Sequence, residues 1–292
     1  MREIVIISGK GGTGKTSVCA AFAHLAQQAV ISDLDVDAPD LHILLDPQHS
    51  VTESFVSGNE AVIRREDCLR CGKCVALCAF DAIRLEEDGA YVDPMRCEGC
   101  GVCVALCPAK AFDFPDKTCG EWSISQTRFG PFVHAQLYPG EENSGRLIAL
   151  LKQQARALAK REGRELLLCD GSPGVGCPVI SSLSGATLAV AVVEPTPSGR
   201  HDFERVAALC DHFRIPVAVV INKADLNPQE ATALAKYAQS NGYTVAGSVP
   251  FDPDITTAMI ERKAVTETAS PLAACLTAIW ARVLEASATP RR

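Results

Sequence analysis

A chain of 292 residues with 47% hydrophobic and 22% charged residues is long enough to bury a sizeable core, in one large domain or two smaller ones, and too apolar to be disordered. Lys plus Arg number 28 against 35 Asp plus Glu, a formal net charge of -7; with no basic run along the chain, this argues against a nucleic-acid partner. Fourteen cysteines are more than a chain of this length needs as staples, so they call for a chemical explanation.

Met1 to Lys10 carries a single Arg and a short apolar run that passes directly into Gly-rich sequence, without a signal-type cleavage site. No uninterrupted apolar stretch approaches the roughly 18 residues of a membrane span. The expectation is a cytoplasmic protein with no membrane association, whose reduced thiols serve as metal ligands, in redox chemistry or as buried apolar groups. Buried strands are predicted at 4–7, 30–32, 165–169, 188–193, 217–221 and 244–249. Helices are predicted at 15–28, 144–162, 198–213, 228–240, 253–262 and 271–285. Near-continuous apolar strands linked by helical crossovers imply an α/β fold, a mostly parallel, doubly wound sheet covered on both faces.

The first strand-helix junction is Gly9-Lys10-Gly11-Gly12-Thr13-Gly14-Lys15-Thr16, followed by Ser17. It fits G-x-x-x-x-G-K-[ST], in which backbone N–H groups and a helix N-terminus cradle phosphates. Lys15 then reaches the β and γ phosphates and Thr16 ligates Mg2+. After the second strand comes Asp33-Leu-Asp35-Val-Asp37. Further on, Leu166-Leu-Leu-Cys-Asp170 is an apolar strand ending in Asp, the pattern that holds Mg2+ through water.

Between Arg64 and Pro115 the alternation stops. Cys68-Leu-Arg-Cys71-Gly-Lys-Cys74-Val-Ala-Leu-Cys78 recurs 29 residues later as Cys97-Glu-Gly-Cys100-Gly-Val-Cys103-Val-Ala-Leu-Cys107, identical at eight of eleven positions. This is a duplicated structural unit. A C-x2-C-x2-C-x3-C spacing offers three thiolates from one loop and a fourth from the start of a short helix. Zinc is the alternative, although a zinc ribbon has no need of the third cysteine. Residues 119–140 are expected to form strands and turns that return the chain to the sheet.

The repeat closely resembles the bacterial two-cluster ferredoxin. That resemblance implies a small α+β domain at 64–115 holding two [4Fe-4S] clusters, one on Cys68, Cys71, Cys74 and Cys107 and the other on Cys97, Cys100, Cys103 and Cys78. Ala79 departs from the pattern, since Pro108 follows the fourth cysteine of the second half, and a change in hydrogen bonding near Cys78 is expected. The remainder, 1–63 and 116–292, resembles the MinD/ParA/Mrp ATPases through GKGGTGKT, a deviant Walker A motif. In that family the lysine matching Lys10 reaches across a homodimer to the partner's phosphates. The same resemblance implies that Asp35 orients the attacking water, that Asp33 and Asp37 have structural or Mg2+ roles and that ATP is sandwiched between two copies.

Base identity is open at this point. Asn222-Lys223-Ala224-Asp225 fits the N-K-x-D of GTPases. The related ATPases keep an Asn here and recognise adenine partly from a later loop, which corresponds to Pro250 to Asp254. ATP is the favoured reading and GTP the other.

Six cysteines are left over. Cys19, Cys169, Cys210 and Cys275 fall in apolar patterns and are expected to be buried. Cys177 stands seven residues after Asp170, an interval shared with a bridging-cluster cysteine of the nitrogenase iron protein. Together with Cys119 it is a candidate for a further site on a dimer face. The terminal helix is Ala/Leu-rich and lacks the basic amphipathic character of a membrane-targeting helix; it is expected to dock on the core, with a short Ala288-Thr-Pro-Arg-Arg tail. The functional expectation is a slow, partner-stimulated ATPase whose nucleotide state is coupled to electron transfer or metal-sulfur cluster maturation in a partner protein. The alternative is a positioning or scaffolding ATPase with the clusters as redox sensor.

Overall fold

The computed structural model describes residues 1–288; Thr289 to Arg292 of the tail lie outside the described residues. Two compact units emerge, one of residues 1–53, 122–136 and 144 onward, the other of residues 54–121 with 137–143. The second is larger than the 64–115 expected from the cysteine spacing. Strands on both sides of the repeat continue into it, and these carry no cysteine pattern that would mark them.

In chain order the elements are β1 (Arg2–Ser8), α1 (Lys15–Ala26), β2 (Ala29–Asp33), α2 (Leu41–Leu45), β3 (Gln48–Asn59), β4 (Val62–Ile63), α3 (Lys73–Leu77), β5 (Ile83–Glu86), β6 (Gly89–Val92), α4 (Val102–Leu106), β7 (Phe112–Asp113), β8 (Asp116–Thr127) and β9 (Gly130–Leu137). They continue as α5 (Ser144–Arg161), β10 (Leu166–Pro173), α6 (Cys177–Leu183), β11 (Leu188–Val193), α7 (Pro197–His212), β12 (Val217–Asn222), α8 (Pro228–Ser240), β13 (Thr244–Val249), α9 (Pro253–Ile260) and α10 (Pro271–Ala288).

Among the described residues nine strands form one sheet in the order β13-β12-β11-β1-β10-β2-β9-β8-β3. Every pairing from β13 through β9 is parallel. At the other edge, Ser50 Oγ meets Ser125 Oγ at 2.6 Å and Thr52 Oγ1 meets Ser123 Oγ at 2.8 Å. One index rises as the other falls, so β3 runs antiparallel to β8. Strands β1, β2, β11 and β12 are buried almost throughout because helices cover both faces. After β1 the chain crosses to β2 on one side and later to β11 on the other, so the carboxyl end of β1 is a switch point where a ligand crevice opens.

Helix α5 buries Leu147, Ile148, Leu151, Ala155, Leu158 and Ala159 at helical spacing, with Lys152 in the same stripe. Lys152 is 2% exposed and its Nζ sits 2.7 Å from the Glu3 carboxylate on β1, which Arg156 also grips at 2.8 Å. Helix α10 docks as expected, burying Leu272, Leu276, Ile279 and Val283, with Trp280 packed 4.9 Å from the Phe22 ring. The sequence expectation had no α2, β3 or α6. The two helices are too short to show a period, and residues 48–53 of β3 are all exposed, so no apolar alternation marks the strand.

The second unit repeats itself physically as well as in sequence. Helices α3 and α4 stand 29 residues apart, each preceded by a left-handed glycine, Gly72 and Gly101, both at φ 72°. Strand β4 pairs with β7, and β5 with β6, both antiparallel. The hydrophobic cluster around the repeat holds five buried apolar residues, Ala61, Ala82, Ile83, Ala90 and Phe112; six of the repeat cysteines pack around them.

Candidate functional site

The crevice at the end of β1 is a cavity of about 610 Å³ lined by Gly11, Gly12, Gly14, Lys15, Thr16, Ser17, Asp35, Asn222 and residues of the β13–α9 region. Gly14 sits at φ +88°, and a Cβ there would fall 2.3 Å from Asn222 Nδ2. That amide donates to the Thr13 carbonyl at 2.8 Å, so the end of β12 pins the phosphate loop. Gly9 is required for a different reason: a Cβ would meet the Asp202 Cβ on α7 at 2.3 Å.

Lys15, 6% exposed, donates to Asp170 Oδ1 at 2.7 Å and lies 3.6 Å from Asp35 Oδ2. Burial alone pulls its pKa down, but the two carboxylates outweigh it and the ammonium is held charged. Burial pushes the Asp35 carboxyl up, and Lys15 opposes that shift. Asp170 Oδ2 is buried with no hydrogen-bond partner among the described residues, as are Thr13 Oγ1 and Asn222 Oδ1. Such orphaned acceptors are costly unless a ligand completes them. A buried Asp oxygen without a partner, on a carboxylate bonded through its other oxygen to Lys15 of the phosphate loop, suits a hydrated Mg2+.

Asp33 takes the structural one of the two roles expected of it. Its Oδ1 accepts from Asp35 N–H at 3.0 Å and its Oδ2 from Leu41 N–H at 3.2 Å, so both oxygens hold the loop after β2. Burial pushes its carboxyl up, and the nearby Asp170 adds to that. The same loop is tied to the carboxyl end of β10, since Leu34 N–H donates to the Asp170 carbonyl at 2.8 Å and Ser172 Oγ donates to the Leu34 carbonyl at 2.7 Å.

At the base end, Pro250 does not line the cavity; Phe251, Asp252, Ile255, Thr256 and Met259 do. Asp225 Oδ1 accepts from Phe251 N–H at 2.5 Å, so this carboxylate braces the loop after β13. The pattern N-K-x-D thus has a structural use here that sequence alone did not show. Lys10 is held within its own chain, its Nζ 3.2 Å from Ser198 Oγ and 3.5 Å from Glu194 Oε2.

In the second unit, one cavity is lined by Cys68, Cys71 and Cys74 of the first repeat together with Cys107 and Cys103 of the second. Cysteines of both repeats therefore line one cavity. Cys78, Cys97 and Cys103 pack on the same small core and Cys100 is exposed. Ala82 N–H donates to Cys78 Sγ at 3.3 Å and Ala111 N–H to Cys107 Sγ at 3.4 Å, equivalent bonds in the two repeats. The expected disturbance from Ala79 is absent at this bond. Among the described residues no three His, Cys, Asp or Glu side chains converge as one metal ion requires. A cubane binds each thiolate through a different iron, which sets a wider spacing.

Of the remaining cysteines, Cys19, Cys169 and Cys210 are buried and Cys275 is partly so. Cys177 is exposed at the start of α6. Cys119 does not fit a surface site: it is 1% exposed and its Sγ donates to the Ser57 carbonyl at 3.1 Å.

Residues 4–265 match the profile of the CobQ/CobB/MinD/ParA nucleotide binding domain. The uncharacterized protein MJ0578 of Methanocaldococcus jannaschii is 35% identical over 257 residues, 87% of this chain and 86% of its own length. The fold is similar to that of the septum site-determining protein MinD of Pyrococcus horikoshii complexed with Mg-ADP, with a TM-score of 0.59 and 16% identity over 97% of this chain and 95% of that one. It is also similar to the MinC:MinD cell division protein complex of Aquifex aeolicus, with a TM-score of 0.55 and 17% identity over 100% and 99% of the two chains.

Proposed function

This chain belongs to the CobQ/CobB/MinD/ParA nucleotide-binding family, and on that premise we propose that it is an ATP-dependent switch whose nucleotide state acts through an inserted module holding two [4Fe-4S] clusters. The observation that carries the ATPase part is the Lys15, Asp35 and Asp170 cluster at the end of β1, with one Asp170 oxygen left for a hydrated Mg2+. Phosphate entering the cavity takes Lys15 from the carboxylates, and Asp35 is then placed to accept a proton from, or orient, a water beside it. Lys10 leaves Glu194 and Ser198 to reach a second copy's phosphates in a homodimer. Because the loop after β2 and the carboxyl end of β10 share hydrogen bonds, a change at one moves the other. Adenine suits the base end better than guanine, since Asp225 is committed to Phe251 N–H.

Cys68, Cys71, Cys74 and Cys107 would hold one cluster and Cys97, Cys100, Cys103 and Cys78 the other. The residues fit the group: the repeat supplies eight cysteines, six of them packed on a cluster of five buried apolar side chains that ligand bonds would reinforce. When bound, such clusters supply one-electron transfer. The module then serves electron delivery to, or metal-sulfur maturation in, a partner protein. A second reading has more direct support from the structural neighbours, which are named as MinD and as a MinC:MinD complex. In it the chain positions or scaffolds a protein partner and the clusters sense redox state. Among the described residues no helix is long and apolar enough to cross a membrane.

The test is anaerobic purification and reconstitution, with iron and sulfide analysis and size measurement with and without a non-hydrolysable ATP analogue. The expected result is about eight irons per chain and a doubling of size with the analogue. A chain that dimerises but retains no iron leaves a positioning role without redox sensing and removes the electron-transfer reading.

A further inference from the structure

The two copies of the cysteine repeat differ at three positions only: Leu69 against Glu98, Arg70 against Gly99 and Lys73 against Val102. Leu69, Arg70, Lys73, Glu98 and Val102 are all exposed, and they flank the exposed cysteine of each loop, Cys71 or Cys100. The first loop thus carries two cations where the second carries one anion. Everything else in the eleven residues is the same. A difference confined to exposed side chains around otherwise identical ligand loops concerns what approaches each loop.

The surroundings of the first loop support this. Leu69 is 70% exposed, Leu77 38%, Leu85 45% and Leu106 47%, and all four line the cavity that holds Cys68, Cys71 and Cys74. Apolar side chains are this exposed on a surface where a partner sits. Neither Arg70 nor Lys73 forms an ion pair among the described residues, whereas the nearby carboxylates are engaged: Asp67 with Arg64, and Glu86 and Asp88 with Arg65. Asp88 also feels the Arg70 charge. An apolar floor with two uncompensated cations at its rim complements an acidic surface.

We propose that the face formed by Leu69, Arg70, Lys73, Leu77, Leu85 and Leu106 docks a small acidic electron-carrier protein, so that electrons enter through the Cys68, Cys71, Cys74 and Cys107 set and leave by the other loop. This rests on the cluster reading given above. In the step itself one electron leaves the reduced carrier, which becomes oxidised, and the first cluster is reduced by it; no bond forms or breaks and no proton moves. Charge complementarity selects the carrier and steers its approach, while the leucines exclude water from the contact. The Glu98 end repels the same carrier and gives the pair of loops a direction.

The experiment uses the iron-loaded full chain, with an acidic [2Fe-2S] ferredoxin as probe. Binding of the oxidised probe is followed by titration calorimetry, and reduction by the reduced probe by stopped flow, over a range of ionic strength. The double variant Arg70→Glu, Lys73→Glu is expected to bind and accept electrons at least about tenfold more weakly at low salt and to lose the salt dependence of the wild type, while Glu98→Lys changes neither by more than about twofold. Iron content, measured on each protein, separates the two levels. A chain that holds no iron overturns the cluster reading, and docking with it. Loaded variants that match the wild type, an equal effect from Glu98→Lys, or a nucleotide-independent self-association abolished by the double variant overturns the docking proposal alone.

Discussion

The sheet unit and the cysteine unit are stabilised by different physics. The first buries a continuous cluster running from Ile4, Ile6 and Phe22 through Val190 and Val220 to Trp280 and Val283. At about 25 cal/mol per Å² of apolar surface, such a core offsets chain entropy without help. In the second, the cluster around the repeat cysteines has five buried apolar residues, three of them alanine. On the proposed reading, its order comes largely from bonds to a metal cluster. The comparison explains why one chain can hold both. A nucleotide switch needs a rigid floor beneath mobile loops, whereas a ligand-held module tolerates a surface given over to docking.

The comparison predicts that the two regions fail separately. Lys15→Ala is expected to lower ATP hydrolysis by about 100-fold or more while iron per chain stays unchanged, as paired ATPase and iron assays would show. A drop in both would mean that the regions are not independent. Cys107→Ser and Cys68→Ser are each expected to remove the same half of the iron, about four atoms of eight, because both cysteines belong to one set. If the two variants lost spectroscopically different clusters, the exchange between repeats would be wrong.

Smaller effects sharpen the account of the sheet. Lys152→Met leaves Glu3 buried with Arg156 as its remaining partner, and a loss of about 3 kcal/mol in denaturant unfolding is expected. His134, stacked on Phe132 at 4.5 Å and bonded through Nε2 to Ser125 Oγ at 2.9 Å, has its pKa pushed down from 6.5 to about 4 by burial and by His42. Below pH 6.5 the unfolded chain takes up a proton at this position that the folded chain refuses until about pH 4. The stabilisation is therefore complete above pH 6.5 and declines by up to about 3 kcal/mol as pH falls to 4. Unfolding curves of His134→Leu are expected to lack this part of the pH dependence.

Much of the sheet was legible because its strands are buried runs and its helices have a 3.6-residue period. Gly14, Lys15 and Asp170 could be placed by spacing, since a phosphate loop and a strand-terminal Asp are local patterns. Asp33 could not. Which backbone N–H groups its oxygens would meet depends on how residues 35–41 fold back, and nothing in the residue types determines that. Asp225 was ambiguous for the same reason, its partner Phe251 N–H lying on another loop. Lys152 did leave a signal, a charged residue in the apolar stripe of a helix, but its partner is 149 positions away on β1 and could not be identified from the stripe. In the cysteine unit the duplication was legible in the spacing, while the extent of the unit, carried by β3 and β8, was not marked by composition.

The account rests most heavily on the claim that the cysteine unit is held by its ligands and the sheet by its core. Hydrogen exchange on the full chain, with iron bound and after its anaerobic removal, tests this directly. The prediction is that residues 54–121 lose their protection when iron is removed while β1, β10 and β11 keep theirs. Equal protection of residues 54–121 in the loaded and metal-free chain would contradict it.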